Sequence, residues 1–467
     1  MKVLLFGTGD YYNRYKKWFE PLEVLALLDN SEQKQYTVID GLRVLPPAEG
    51  VGLKYDVIVI LSFYVKQMRQ QLISLGVMPE KIYHFYDLHQ LFGQSVVRRP
   101  VQYYLGAREL AADVSLTVPK ILLLSHDLTL GGPAIALFHT AEILEKKGYR
   151  VVFAAMSGGP LLDELIKRGI PVVVDENLQI STMQETEWIS GFSLLICNTL
   201  NFHVFLSERD TRIPVVWWLH DARFFYDGVD KTVMRKIHSE HLNIMAVGPV
   251  PAAAIKEFLP DMDCGELLYG VSDTGHGLAV KEKDNKVKFI TIGFLEDIKG
   301  QDVLVESVQR LPDQIRSQCI FYIVGHDKTL FGERIHRDSA GIREIRFTGS
   351  VERQEIHRLL ESADALICPS RQDSMPTVAA EAMMHSVPCI LSDAAGTSAY
   401  VRDGNDGLIF PSGNVQALTD KIEWCVNNRK KLTGMGKKAR ELYEKHFSIS
   451  AFEKRLIEVI REAMGSQ

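Results

Sequence analysis

Short apolar runs alternate with amphipathic, helix-length stretches from one end of the chain to the other, and nothing else restricts its fold as strongly. A run such as VLLFG at 3–7 is short and wholly apolar, so it reads as a strand covered on both faces. Strands that alternate with helices return parallel to one another through crossovers, the pattern of an α/β protein. The alternation starts three times. Residues 1–92 carry VLLFG (3–7), EVLALLD (23–29), DVIVILS (56–62) and KIYHFYDL (81–88), with a helix expected over 64–75. Residues 93–118 lose the alternation and read as a linker with room for one helix. A second block, 119–276, runs from KILLLS through RVVFAAM, PVVVD, SLLICN, PVVWWLH and NIMAVG to ELLYG. A third, 277–447, holds KFITIG, CIFYIVG, IREIRFTG, ALICPS, PCILSD and GLIFP. The last stretch, 448–467, is a helix with enough apolar positions to pack back on the body.

With 467 residues the chain is too long for one core. The expected architecture is two Rossmann-like domains of similar size, with a cleft at the carboxyl ends of their strands, preceded by a third, small Rossmann-like domain. Composition excludes several classes. At 46% apolar and 24% charged, with no low-complexity tract, the chain is globular. Its formal charge, 53 − 59 = −6, supplies no basic field for nucleic acid. The six cysteines are too widely spaced for a local zinc or redox motif and read as reduced, mostly buried thiols in a cytoplasmic protein. MKVLLFGTGD reads as a first strand, not a signal peptide. No apolar run is long enough to span a bilayer, so any membrane contact is expected to be peripheral.

Chemistry concentrates in residues 365–393, ALICPSRQDSMPTVAAEAMMHSVPCILSD. A buried strand ends at Pro369-Ser370, a short loop holds Asp373, and a helix is expected to begin near Met375. In that reading Ser374 caps the helix and Pro376 sits in its first turn. Glu381 lies four residues after Thr377 on the same helix face. The free amides of a helix N-terminus attract phosphate, and carboxylates accept sugar or ribose hydroxyls. An ordinary capped amphipathic helix would show the same spacing.

The segment resembles the paired-acid region of retaining glycosyltransferases of the GT-B fold, in particular family 4, the group 1 glycosyl transferases. Asp373 stands where the first acid is usually Glu, and Ser374-Met375-Pro376-Thr377 stand where glycines are common. This version is similar to one found among surface and capsular polysaccharide transferases. The resemblance implies that Asp373 touches donor-sugar hydroxyls, that Glu381 holds the ribose, and that the amides of 375–378, Val378 included, face the diphosphate. GFLEDIKGQDVLVESV (293–308) resembles the family's donor-phosphate element; Lys299 matches its second base, but Phe294 replaces the first. Arg371 is a candidate to fill that gap. Taken alone, Lys299 also reads as a solvated lysine opening a helix. His220 ends the strand PVVWWLH, where the resemblance implies a histidine facing the reaction centre; a hydrogen-bonded strand-end histidine is the plainer reading. HDLTLGGPAIALFHTAEIL (126–144) resembles the family's glycine-rich loop, with Gly131 and Gly132 letting backbone approach phosphate or acceptor. LLYGVSD, IVGHD, RFTGSVERQEI and SDAAGTSAYVRDGNDGLIF follow in the family's order, so the likeness covers about 119–447.

Three further features point elsewhere. Asp261-Met262-Asp263 spells a metal-binding triplet but follows a helix end, and reads as a solvated turn. Gly7-Thr8-Gly9 with Asp29 approaches a dinucleotide fingerprint, yet Tyr12 replaces its third glycine, so the first domain reads as a packing module. ARFFYDGVDKTVMRKIHSEH (222–241) mixes aromatics with Arg223, Lys231, Arg235 and Lys236; it reads as an ordinary charged helix or as a contact for a lipid-linked acceptor or membrane surface. The resemblance implies a cytoplasmic enzyme, needing neither metal nor other cofactor, that moves sugar from a nucleotide-sugar onto a glycan or lipid-linked glycan precursor. Its catalytic candidates are His220, Lys299 and Asp373, and no carboxylate nucleophile is evident. The rival readings are a sugar-nucleotide epimerase or hydrolase, a degenerate partner subunit, and a nicotinamide enzyme using the first domain.

Overall fold

The computed structural model describes residues 1–92, 98–113, 118–274 and 286–465. Three sheets follow one another along the chain. The first contains β1 (Lys2–Phe6), β2 (Glu23–Leu28), β3 (Val38–Ile39), β4 (Leu42–Leu45), β5 (Val57–Ile60) and β6 (Ile82–His84). Its order is β3-β4-β2-β1-β5-β6, parallel except for the β3–β4 hairpin. Asp40 and Gly41 turn that hairpin with positive φ values of 51° and 79°, the geometry an Asp-Gly pair favours.

The second sheet holds β7 (Gln102–Tyr104), β8 (Lys120–Ser125), β9 (Arg150–Ala155), β10 (Val172–Val174), β11 (Leu194–Asn198), β12 (Val215–Leu219), β13 (Leu242–Ala246) and β14 (Cys264–Glu266). Its order is β14-β13-β12-β11-β8-β9-β10-β7. The third holds β15 (Val287–Ile292), β16 (Cys319–Val324), β17 (Ile345–Gly349), β18 (Ala365–Cys368), β19 (Cys389–Ser392) and β20 (Leu408–Phe410), in the order β17-β16-β15-β18-β19-β20. Every residue of β8, β11, β12, β18 and β19 is buried, which is why these strands read as unbroken apolar runs. Strand order reverses at β8–β11 and at β15–β18, and loops diverge there to leave a crevice at the carboxyl ends.

Two stretches differ from the sequence expectation. Within 93–118, the one helix allowed for forms at Ala107–Ala112, but Gln102–Tyr104 pair antiparallel with β10, so this part of the linker is an edge strand of the second sheet. Residues 93–97 and 114–117 lie outside the described residues, as do the expected boundary at 276/277 and the last two residues. The strand placed at ELLYG is centred earlier, on Cys264–Glu266; Leu267 to Gly270 leave the sheet and run, buried, toward the third.

One apolar cluster joins the first sheet to the second and includes Tyr12, Trp18, Phe19, Phe85 and Leu178. Trp18 Nε1 donates to Gln179 Oε1 at 2.7 Å, and Arg14 meets Asp127 at 2.7 Å. The final helix, Ile449–Ala463, returns from the third domain to the second. There the Phe452 ring stacks on Trp218 with centroids 5.5 Å apart and planes 18° from parallel.

Candidate active site

Four chain segments reach the crevice, each leaving the carboxyl end of a strand. After β8 comes the loop to the Gly132–Lys146 helix; after β12 comes His220; after β15 comes the loop holding Lys299; after β18 comes Asp373 and the Thr377–Met384 helix. Between them lies a cavity of about 340 Å³ lined by Gly132, His220, Phe224, Phe225, Lys299, Asp373, Ser374, Met375, Thr377 and Val378. A neighbouring cavity of about 320 Å³ shares Gly132, Tyr269 and Thr377 with it. Leu130, Ile135, Phe138, His139, Arg353 and Glu381 are among its other walls.

The helix after Asp373 begins later than its sequence suggests. Thr377 is its first residue, Pro376 stands at the N-cap position in an extended conformation (ψ 114°), and no side chain caps it. Ser374 therefore is not its cap. The residue before a proline is held away from helical geometry, which keeps Met375 out of the helix. The 373–375 loop is instead pinned to the chain beyond β19. Asp373 bridges Ala395, and Gly396 N donates to the Asp373 carbonyl at 2.9 Å. A Cβ on Gly396 would strike the Ser374 carbonyl. The outcome is a helix N-terminus whose first amides, Thr377 and Val378, lie against the cavity. Across from it, Gly132 opens a helix of 15 residues, and a Cβ there would lie 3.5 Å from the Thr377 methyl. Two helix N-termini thus converge on one space.

Charge is arranged around them. Lys299 Nζ lies 2.7 Å from Asp373 Oδ2. Burial alone would lower the lysine's pKa, but the adjoining carboxylate outweighs burial and holds it above the ordinary value. Glu381, 7% exposed, accepts from Arg353 Nη2 at 2.8 Å; burial raises its pKa against the pull of that guanidinium. His220 Nε2 is buried without a hydrogen-bond partner. Burial first, then nearby His126, push its pKa down to about 3, so the imidazole is neutral near pH 7. A buried ring nitrogen without a partner marks a place where a ligand hydroxyl can bond. Asp221 beside it accepts from Leu200 N at 2.7 Å, and burial lifts its pKa to about 6.

The structure gathers Lys299, Asp373, His220, Gly132, Ser374, Met375, Thr377 and Val378 at the first cavity and Glu381 at the second. It does not bring Arg371 there. That guanidinium forks onto Asp302 at 2.7 and 2.8 Å and onto the Asp297 carbonyl at 2.7 Å, turned away by its own partners. Gly131 precedes the Gly132–Lys146 helix at its N-cap and lines neither cavity. Phe294, where a base was sought, is 61% exposed and lies edge-on to His326. Residues 222–241 are not one charged helix: Arg223–Gly228 form a 3-10 turn and Lys231–Met234 a short helix. Phe224 and Phe225 face the cavity, while Arg223 pairs with Glu257 and Asp227. Asp261 and Asp263 are exposed in a turn after the Pro249–Lys256 helix. Arg353 was missed. It stood in RFTGSVERQEI as one more charged residue opening a helix, and only the fold brings it to Glu381.

This arrangement coincides with known families. Residues 279–442 match the family model for glycosyl transferases group 1, and residues 118–244 match that for glycosyl-transferase family 4. The second and third domains are therefore similar to the group 1, family 4 glycosyltransferases. Residues 1–83 match a separate model, C2185-like, N-terminal. The D-inositol 3-phosphate glycosyltransferase of Corynebacterium aurimucosum is 27% identical over 181 residues, which cover 37% of this chain and 42% of that protein. The lipopolysaccharide glucosyltransferase WaaG of Escherichia coli is 27% identical over 132 residues, covering 28% and 34%. The chain thus spans less than half the length of these two curated relatives. HepE of Anabaena, solved in complex with UDP and glucose, shares the GT-B fold. Its TM-score is 0.62 at 18% identity, covering 74% of this chain and 100% of HepE.

Proposed function

We propose that this glycosyltransferase moves a sugar, with retention of anomeric configuration, from a nucleoside-diphosphate donor onto a glycan or lipid-linked glycan precursor of a surface polysaccharide. One observation carries the reading: an ammonium, a carboxylate, a neutral imidazole lacking a partner and two helix N-termini meet at one interdomain cavity. In this reading the nucleoside enters the second cavity, where Glu381 accepts the ribose hydroxyls. Its diphosphate lies between the Gly132 and Thr377 helix ends, with Lys299 turning from Asp373 to the phosphates. Asp373 then holds hydroxyls of the donor sugar, and His220 orients the sugar or the acceptor. HepE, similar in fold, was solved with UDP and glucose, which supports a donor of this class.

The acceptor hydroxyl attacks from the face the leaving group departs. Its oxygen bonds the anomeric carbon, the bond from that carbon to the phosphate oxygen breaks, and the leaving phosphate takes the acceptor proton. Closure of the domains excludes water that would otherwise hydrolyse the donor. The protein supplies positioning and charge, without a metal or other cofactor. Among the described residues no helix is long and apolar enough to cross a membrane. We place the reaction in the cytoplasm, with contact at the membrane surface only.

Labelled UDP-, GDP- and dTDP-sugars incubated with and without glycan acceptors test the reading. Transfer that requires acceptor and is lost in Glu381→Ala supports it. Donor turnover without acceptor would identify an epimerase or hydrolase instead. Phe294 in place of a base is what motivates the degenerate-subunit alternative; saturable nucleotide-sugar binding by the isolated chain counts against it.

A further inference from the structure

A third cavity, of about 340 Å³, opens at the carboxyl ends of β1, β2 and β5 in the first domain and shares no lining residue with the two described above. Its walls include Asp10, Asp29, Phe63 and Tyr64, and Glu296 reaches it from the third domain. A phosphate is disfavoured here, because Asp10 opens the adjacent helix, Glu296 faces it across the gap, and Lys34 beside the wall is already held by Thr8 and Asp29. Asp29 is already engaged by Thr8 and by the Ser31 amide. Among the described residues, Asp10 and Glu296 have no ion-pair or side-chain hydrogen-bond partner, and both carboxylates remain able to accept. The two rings are Phe63, 39% exposed, and Tyr64, 52% exposed. Burial first, then the Glu296 and Asp297 carboxylates, raise the Tyr64 phenol, which puts ring and acids on the same space.

The walls of this cavity touch those of the active site in two places. Phe63 lies 4.9 Å from Phe225 and 6.3 Å from Phe224 between ring centroids, and both of those line the catalytic cavity. On the other side, Lys299 N donates to the Glu296 carbonyl at 2.9 Å, so one loop presents its lysine inward and its glutamate outward. A molecule leaving the groove past Phe224 and Phe225 is led over Phe63. Aromatic faces beside open carboxylates suit a neutral polyhydroxyl: the apolar face of a sugar ring covers the aromatic, and its hydroxyls donate to the acids. An isoprenoid tail would strand the carboxylates, and its phosphates would meet like charge.

We propose that the first domain is an acceptor subsite, in which Phe63, Tyr64, Asp10 and Glu296 hold sugars of a linear glycan several residues from the reacting hydroxyl. This rests on the transferase reading and assigns the added domain a part in it. The full chain is tested on an array of bacterial surface-glycan fragments graded from single sugars to hexasaccharides, beside vesicles carrying polyprenyl phosphate. Retention should rise with glycan length. Phe63→Ala and Glu296→Gln should each weaken binding of the longer fragments about fivefold, the scale of one aromatic or polar contact. The melting shift caused by nucleotide-sugar should stay as in the wild type. Retention that does not grow with length, growth that survives both substitutions, or binding to the vesicles alone overturns the subsite. Length-dependent retention in a wild type that ignores every nucleotide-sugar would uphold the subsite and remove the donor assignment.

Discussion

Replacing Lys299 with methionine probes the site where its opposite charges meet. Nζ and Asp373 Oδ2 are 2.7 Å apart, with the lysine side chain 32% and the aspartate 12% exposed. At an effective dielectric constant of about 20, that separation gives an attraction of roughly 6 kcal/mol before desolvation. Desolvation of both groups offsets most of it and leaves about 1.5–3 kcal/mol, the scale of a charged hydrogen bond. Methionine keeps the length of the stem but strands the carboxylate. Stability of the free protein should therefore fall by about 2 kcal/mol. Adding Asp373→Asn should restore most of that, because the unpaired charge is gone. Catalysis should not follow stability back. A leaving diphosphate deprived of its ammonium loses about 2.7–4 kcal/mol of transition-state stabilisation, a fall of about 100- to 1,000-fold in kcat. Urea unfolding and initial transfer rates across the wild type, both single variants and the double variant separate these effects. The reasoning is refuted if the double variant regains transfer along with stability, or if Lys299→Met keeps more than about a fifth of the wild-type kcat.

Three other expectations follow from the same geometry. Arg353→Ala removes the cation that opposes the upward shift of Glu381, so donor affinity should weaken and become more pH-dependent, improving as pH rises. Calorimetric titration at several pH values checks this, and unchanged affinity throughout would detach Arg353 from the site. His220 has a folded pKa of about 3 against about 6.5 unfolded, so the unfolded chain takes up a proton that the folded one refuses. Its contribution is full above pH 6.5 and is lost as pH falls toward 3, at roughly 2 kcal/mol between pH 7 and 5. His220→Gln should flatten the acid limb of stability by that amount, and parallel curves would contradict the burial argument. Arg14→Ala leaves Asp127, 4% exposed at its side chain, beside His126 without its guanidinium. It should cost about 3 kcal/mol in thermal unfolding and raise the donor KM, since Asp127 also holds Thr129 in the loop leading to Gly132. A stable variant with normal KM would separate the first domain from that loop.

Much of the fold was legible because parallel strands buried on both faces leave a conspicuous apolar record, as KILLLS, SLLICN and ALICPS do. The β3–β4 hairpin was missed although Asp40-Gly41 spells its turn, since two-residue strands are too short for periodicity to register. Gln102–Tyr104 escaped because an edge strand of three partly exposed residues lacks an apolar run. The helix start slipped by two residues at Pro376, where N-cap and first-turn roles share one composition and only the pinning of the loop by Gly396 decides between them. Asp373, Lys299 and His220 stood out because each lies in a connection that follows a strand, and Glu381 because its spacing from Asp373 places it one turn into the next helix. Arg353 and Arg371 illustrate what such local reading omits. Two arginines of similar appearance differ in reach: one pairs with Glu381, and the other is drawn off by Asp302 on an adjacent helix.

With Arg371 engaged elsewhere and Phe294 uncharged, Lys299 is, among the described residues, the only lysine or arginine lining the main cavity, and a diphosphate would bring more negative charge than one ammonium can balance. In the proposed complex the backbone makes up the difference. Each helix N-terminus carries roughly half a positive charge, and two of them, at Gly132 and Thr377, face the same space from opposite domains. Their sum is about the charge of the missing base, and being fixed dipoles they need no reorganisation as charge develops on the leaving group. That contribution exists only while the domains hold their present spacing, because the dipole's influence fades within a turn. On the proposed reading, the Phe452–Trp218 stack and the final helix, which carry the chain back from the third domain to the second, should bear on transfer as well as stability by tying together the domains that hold the Gly132 and Thr377 ends. A side chain can be replaced singly by evolution, whereas this cation equivalent is distributed over two helices and the contacts that hold them together. A Cβ at Gly132 would only touch the Thr377 methyl at 3.5 Å, so larger side chains there should narrow the space between the two helix ends in proportion to their size.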